Sequence, residues 1–378
     1  MPELVAMFGD ILLSYVLPAI LVLMLVVFIH ELGHFQIGRW CGVQIQTFSI
    51  GFGKELFGFN DKYGTRWKLS AIPLGGYVKF VGDENAASLP KASEQPEAER
   101  DKTLFHDADV WKRTAIVAAG PIANFILAIA IFAVVFATLG RPITAPRIDE
   151  LTPGGAAEAA GFLPGDLIVE IDGKPIESFS QIQQIVTLAA GNKLTVIVDR
   201  GGERITLTPT PERREMPDGL GGTQRIGIIG ITRNMGEGDL VYKRFGPLEA
   251  VVEGVKETGH IIERTMTYIG RLFAGRETAD QLSGPIRVAQ VSGVIAESGG
   301  LPALLHLSAI LSVSIGLINL FPIPMLDGGH LVFYAIEAIR GRPVSQRAQE
   351  IGYRIGLALV IMLFVFVTFN DIVRLAGI

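Results

Sequence analysis

Four stretches of the chain stay apolar long enough to cross a bilayer, whose ~30 Å core needs about 20 helical residues. Ile11 to Ile29 and Thr114 to Leu139 carry no charge, and Pro302 to Leu326 carries only His306. Ile355 to Asn370 is shorter and lies between Arg354 and Asp371. Elsewhere the pattern changes. From Gln46 to Val81, and most clearly over Thr65 to Ile72, polar and apolar positions alternate. The turn-forming run Asn60 to Gly64 and the glycines Gly51, Gly53, Gly75 and Gly76 punctuate this stretch, which predicts β structure close to the membrane. Gly82 to Asp109 is rich in Ala, Glu, Ser, Pro and Lys and reads as a linker.

Arg147 to Thr210 has the pattern of a compact α/β module. A short helix is predicted over Ala156 to Gly161, a strand over Asp166 to Ile171 closed by Asp172-Gly173, and an amphipathic helix over Phe179 to Ala190. Strands follow at Leu194 to Asp199 and Arg204 to Thr208, then Gly221-Gly222 and a strand-like Arg225 to Ile231. Pro247 to Phe273 is again helical and amphipathic, with Leu248, Val251, Val252, Val255, Ile261 and Ile262 among charged residues. The chain therefore divides into a first transmembrane helix (1–40), a cytoplasmic membrane-associated β segment and linker (41–111), and a second transmembrane helix (112–140). A far-side α/β domain (141–232), an amphipathic helical region (233–301), a third transmembrane helix (302–330) and a cytoplasmic loop with the fourth helix (331–378) complete it. The expected fold class is a polytopic α-helical membrane protein with four transmembrane helices and an inserted soluble domain.

Composition agrees with several spans: 49 % of residues are hydrophobic, 19 % are charged and the mean hydropathy is +0.40. The first span is expected to be retained, because no basic residue precedes it and no small-residue cleavage site follows. Lys and Arg set the orientation. They crowd the stretch between spans one and two (Arg39, Lys54, Lys62, Arg66, Lys68, Lys112, Arg113) and the loop between spans three and four (Arg340, Arg342, Arg347, Arg354). Both should be cytoplasmic, which puts the termini and the insert on the far side, the periplasm in a bacterium. A net charge of −5 gives no basic footprint for nucleic acid. With Cys41 as the only cysteine, a disulfide within the chain and a thiolate metal site are excluded, so any metal must be held by His and carboxylates.

The sharpest chemical signal is His30-Glu31-Leu32-Gly33-His34. Residues four apart share a helix face, so both imidazoles can reach one metal, with Glu31 beside them to take a proton from water. The trio continues an apolar span, where ionisable groups are costly and function is the default reading. A third ligand is needed. Asp327 is the best candidate: it follows Pro322 and Pro324, which cannot continue a helix, and the charge pattern puts it on the same side as His34. His330, three residues on, is the rival. His106, His260 and His306 stand alone and read as interfacial or packing residues. Asn124 and Asn319 are polar groups within spans, with inter-helix hydrogen bonding as their ordinary role.

Together these motifs resemble the site-2 protease family of intramembrane metalloproteases, and in particular its bacterial regulator-of-sigma-E protease branch. Gly75-Gly76-Tyr77-Val78-Lys79, Ala119-Gly120-Pro121-Ile122-Ala123-Asn124 and Leu282-Ser283-Gly284-Pro285-Ile286 are similar to that branch. So are Asn319 to Gly328, Tyr353 to Gly356 and Phe369-Asn370-Asp371. The resemblance implies one zinc ion held by His30, His34 and Asp327, Glu31 as the catalytic acid and base, and Asn319 binding the substrate backbone. It makes the insert a circularly permuted PDZ-like periplasmic domain, with room for one copy where the best-known members carry two. It also implies a place in the bacterial inner membrane and single-span substrates, such as an anti-sigma factor already trimmed by another protease or remnant signal peptides. A zinc-stabilised scaffold would have no need of Glu31, and a metal transporter would need a chain of further intramembrane ligands.

Overall fold

The computed structural model describes residues 10, 12–81, 104–217, 223–233, 240–274 and 284–375. Most of the predicted linker, the pair Gly221-Gly222 and the pair Leu282-Ser283 lie outside them. Four helices are long and apolar enough to cross a membrane: Leu12–Trp40, Val110–Thr138, Pro285–Asn319 and Gln346–Val373. The protein is a multi-pass membrane protein of mixed helix and sheet.

In chain order, a π-helical turn (Leu12–Val16) leads into α1 (Leu17–Trp40), followed by β1 (Ile45–Asn60), β2 (Arg66–Phe80) and α2 (Val110–Thr138). Then come β3 (Arg141–Thr144), β4 (Glu150–Leu151), α3 (Ala156–Ala159), β5 (Leu167–Ile171), β6 (Lys174–Pro175) and α4 (Phe179–Leu188). Next are β7 (Val196–Arg200), β8 (Glu203–Leu207), β9 (Glu212–Pro217), β10 (Thr223–Ile228), β11 (Ile231–Thr232) and β12 (Leu240–Lys243). The chain ends with α5 (Pro247–Phe273), α6 (Pro285–Asn319), α7 (Asp327–Arg340) and α8 (Gln346–Leu375). These elements form two compact units, one of Met1–Val134, Val251–Met266 and Ala279–Ile378, the other of Val135–Ala250 and Thr267–Thr278.

The first unit holds the helices that carry the candidate site. α1 runs on past the apolar stretch to Trp40, so the His30–His34 motif is helical throughout. The third span differs from expectation at both ends. Gly300 (φ 58°, ψ −150°) and Pro302 kink the helix instead of starting it, so α6 begins at Pro285. It stops at Asn319, ahead of the two prolines that cannot continue it. The N-terminus of α6 is capped from the far end of the chain: buried Asp371 accepts the backbone N–H groups of Gly284 (3.1 Å) and Arg287 (2.9 Å). Two of the motifs noted above are thus one contact.

β1 and β2 are each bent, so two strands make four ladder segments. Residues 47–50 pair on one side with 76–79 and on the other with 66–69, which in turn pair with 57–60. The bends fall near Gly51 (φ 87°) and Gly75 (φ 110°), in the left-handed region that glycine enters without penalty. The predicted turn at Asn60–Gly64 forms, organised by Asp61. Burial alone would raise its carboxyl; the Arg39 guanidinium, the Trp67 indole N–H and the Tyr63 and Thr65 amides outweigh it and hold the pKa at about 2. Phe48 stacks on Trp67 and meets Phe35 of α1 edge-on, which fixes the sheet against that helix.

In the second unit a four-stranded sheet, in the order β6-β5-β7-β8, packs on α4 through Ile168, Ile171, Ile182, Val186, Val196 and Val198. Asp172 (φ 49°) and Gly173 (φ 78°) both take the left-handed conformation that the tight β5–β6 turn needs. The single strand expected over Arg225 to Ile231 is broken at Ile229-Gly230, so β10 pairs with β9 and β11 with β4. The loop from Gly161 to Asp166 is clamped by Arg200, which grips Asp166 through Nε (2.7 Å) and an amino group (2.8 Å) and also reaches the Gly161 carbonyl (2.9 Å). The Asp166 side chain is fully buried, which would raise its pKa, but Arg200 and the Leu163 amide hold the carboxyl below the usual range.

Arg200→Ala should leave that carboxylate buried without its partner and destabilise this unit. Hydrogen exchange of the β5 and β7 amides should then speed up about a hundredfold at neutral pH. Because the folded carboxyl is held low, its contribution is present above the ordinary Asp pKa of about 4 and fades as pH falls through the folded value. The wild-type protection should therefore drop on acidification, and the difference from Arg200→Ala should close. An unchanged exchange rate at neutral pH would count against the clamp.

Candidate metal centre

His30 and His34 project from one face of α1, one turn apart. Asp327 opens α7 after the turn that ends α6. That turn winds through Leu320 to Leu326, closed by backbone bonds from Phe321 to Ile318 (3.0 Å), Ile323 to Phe321 (2.7 Å) and Leu326 to Ile323 (3.0 Å). Gly328 and Gly329 lie under it; a Cβ on either would overlap the carbonyls of Leu320 or Ile323. The first turn of α7 is therefore pressed against the broken end of α6, which aims Asp327 at α1.

One atom each of His30, His34 and Asp327 fall within 4.8 Å of one another. Asp327 Oδ2 lies 3.1 Å from His30 Nε2 and 3.5 Å from His34 Nε2, and the two Nε2 atoms are 3.2 Å apart. Oδ2 is buried and is assigned no hydrogen bond among the described residues. Three lone-pair atoms converging in a buried place repel each other unless a cation sits between them. Tetrahedral ligands about 2.0–2.1 Å from a shared zinc stand about 3.3 Å apart, which matches this spacing. The donor set fits a divalent metal of zinc's preferences.

α2 completes the centre. The Ile116 carbonyl accepts a hydrogen bond from His34 Nδ1 at 2.9 Å, so Nε2 is left as the lone-pair atom. Gly120 is where α2 meets the imidazoles: a Cβ there would overlap His34 Nε2 and stand 2.9 Å from His30 Cε1. Gly33, between the two histidines, is packed reciprocally against the Ala119 carbonyl. Glu31 faces β2. Its Cγ lies 3.0 Å from where a Gly76 Cβ would be, and the Val78 backbone donates toward its carboxylate.

The rival ligand His330 points elsewhere, with Nδ1 3.2 Å from the Tyr353 hydroxyl and its ring against Tyr334. His306 packs edge-on to Phe132, His106 lies against Phe105, and His260 is exposed on α5. Asn319 is the last residue of α6, next to the turn, and its side chain makes no hydrogen bond among the described residues. Sequence reasoning missed the outer partners Ile116 and Val78; of Gly120 it gives only that a small residue there permits close packing with another span. Two of the motifs already noted, Ala119–Asn124 and Gly75–Lys79, contain Gly120 and Val78.

Helices that cross a membrane, an apolar-span His/Glu/His motif and a carboxylate on a broken helix that converges on it define a membrane metallopeptidase. The model of peptidase family M50 matches residues 18–363, and the chain belongs to that family, the site-2 protease family. It is 54 % identical over 96 % of its length to a "Putative zinc metalloprotease" of Agrobacterium fabrum, covering 97 % of that protein. It is 40 % identical to metalloprotease MmpA of Caulobacter vibrioides, over 93 % of this chain and 94 % of that one. Identity to the regulator of sigma-E protease RseP of Salmonella typhimurium is 32 %, over 94 % of this chain and 98 % of that one.

Gly120→Val would put a side chain where the two imidazoles lie. Bound metal, measured on protein purified in detergent, should fall from one zinc per chain to a small fraction. The helices should remain, as read by far-ultraviolet circular dichroism. Full zinc content in this variant would mean that α2 does not set the pocket.

Proposed function

We propose that the protein is a zinc-dependent intramembrane endopeptidase that cuts single-span membrane proteins in or near their transmembrane segment. The observation that carries this is the convergence of His30, His34 and Asp327 within 4.8 Å, with Glu31 adjacent in the same helix turn. Bound zinc would supply a Lewis acid at that point. Glu31 takes the proton of the attacking water and delivers it to the leaving nitrogen, and the carboxylate is held for this by β2. Asn319, free of hydrogen bonds to the described protein, is available to hold the substrate backbone.

A helical substrate hides its carbonyls, so it must be extended before attack. The bent sheet offers the means. The segment Gly76 to Lys79 is an edge: it pairs with 47–50 on one side, and no described strand lies on the other. That edge runs beside Glu31. A substrate added there as a strand would be straightened and passed along the metal centre in one step. Exposed Phe52, Leu56, Phe57 and Ile72 on the same sheet suit a lipid-facing position.

The charge pattern supports a bacterial inner-membrane location with the centre toward the cytoplasm and the second unit in the periplasm. A sheet packed on the amphipathic helix α4 supports reading that unit as a single PDZ-like domain that excludes untrimmed substrates. The relative named regulator of sigma-E protease makes a pre-trimmed anti-sigma factor the first substrate to test, with a role in envelope stress signalling, and remnant signal peptides the second.

With such a single-span reporter in liposomes, Glu31→Gln should retain zinc and lose cleavage by at least about a thousandfold. Leu69→Pro, in the inner segment that pairs with both Ile50 and Phe57, should retain zinc and slow cleavage tenfold or more. Equal cutting by wild type and Glu31→Gln would sink the protease reading, and full activity in Leu69→Pro would sink strand addition. Deleting the second unit should let the enzyme cut an untrimmed reporter that the full chain spares. No change on deletion would make that unit a spacer.

A further inference from the structure

A ligating imidazole needs the proton on its far nitrogen, and an acceptor there decides the matter. For His34 that acceptor is the Ile116 carbonyl. His30 has no backbone acceptor among the described residues. Its Nδ1 lies 3.3 Å from the side-chain amide of Asn124, two turns further along α2. Asn124 is wholly buried. It is also held in place: its backbone carbonyl accepts the Ser312 hydroxyl at 2.8 Å, and its Cβ lies 3.2 Å from where a Gly316 Cβ would be.

The amide can face His30 in two ways. With the nitrogen toward Nδ1, the ring would have to accept there and carry its proton on Nε2, the atom aimed at Asp327. That form cannot bind a metal. Turning the amide by half a rotation exchanges its oxygen and nitrogen in nearly the same space. The turn breaks no bond of Oδ1, which makes no hydrogen bond among the described residues where it now stands. We propose that Asn124 is a positioning residue of the metal centre: its amide oxygen accepts the Nδ1 proton of His30 and holds Nε2 as a lone-pair donor facing Asp327. This rests on His30 being a ligand. It gives α2 a paired task, one acceptor for each imidazole, with Gly120 between them to let the rings in.

An Asn inside a span can also simply tie two helices together, and the test must separate the two roles. Zinc affinity would be measured on the full-length protein in detergent by competition with a chromogenic chelator. Thermal unfolding of the zinc-stripped forms would be followed alongside. Asn124→Leu removes the acceptor and should weaken zinc 10- to 100-fold. Asn124→Asp offers only acceptors and should restore affinity to within a few-fold of wild type. His30→Ala should lose zinc altogether. If Asn124→Asp binds zinc as poorly as Asn124→Leu, the amide is a donor and the proposal is wrong. It is equally wrong if Asn124→Leu binds zinc normally and only lowers the melting temperature of the stripped protein. Tight zinc binding by His30→Ala would instead overturn the ligand assignment itself, a separate result.

Discussion

Everything about this site depends on how closely α1 and α2 approach. Three potential ligand atoms are gathered within 3.5 Å in a largely buried place, where water screens them poorly. Such a cluster survives only if the protein supplies the scaffold and a cation supplies the attraction. The scaffold here is a contact between backbones. Gly33 on α1 and Gly120 on α2 each lack the atom that would collide with the other helix. A larger residue at either position would push α2 outward, taking with it the Ile116 carbonyl and the Asn124 amide. The spacing of the two histidines puts them on one face, but the missing side chains let that face become a pocket.

Asp327 poses the opposite problem, because it comes from irregular backbone. Unpaired peptide groups at membrane depth are tolerated only where they are buried in protein or line a cavity. The Leu320–Leu326 turn meets this condition by closing its own hydrogen bonds and by resting on Gly328 and Gly329. Pro322 and Pro324 have no N–H to leave stranded, so the residues that end the helix also reduce the cost of ending it. Met325, with φ 97°, takes up the remaining bend just before Asp327.

Much of this could be read from the residues, for reasons that are local. A long apolar run reports a span because the bilayer sets its length, and a His/Glu/His set on a helix reports a shared face. Asp327 could be chosen over His330 because a carboxylate after a broken span has few structural excuses, and the geometry puts His330 against Tyr353. The third span begins well before its apolar run suggests, because the helix continues through the kink at Gly300 and Pro302, and an apolar run alone does not report helix on its polar side. Residues 66–72 were legible as alternating β structure. Their pairing on both sides was not, since the folding back of each strand depends on bends near Gly51 and Gly75 and on which segments meet afterwards. Asn124 was visible only as a polar residue in a span. Its relation to His30 spans 94 positions and no periodicity carries it.

The last span shows how far the constraint extends. Gly352 and Gly356 lie one turn apart on α8, and both face the turn: a Cβ on Gly352 would stand 3.5 Å from Pro324 Cγ, and one on Gly356 would overlap the Pro324 carbonyl. Paired small residues four apart let membrane helices pack backbone to backbone, and here the second backbone is the turn that leads into Asp327. The turn is thus held from two sides, by the glycines of α7 beneath it and those of α8 across from it. At its other end α8 supplies Asp371 to cap α6, the helix the turn interrupts. A metal site tolerates displacements of only about 0.5 Å. An interrupted helix between two free ends would not hold Asp327 to that precision, and a helix tied to it at both ends would. The span with no chemical residue in the centre is therefore part of what makes the centre possible.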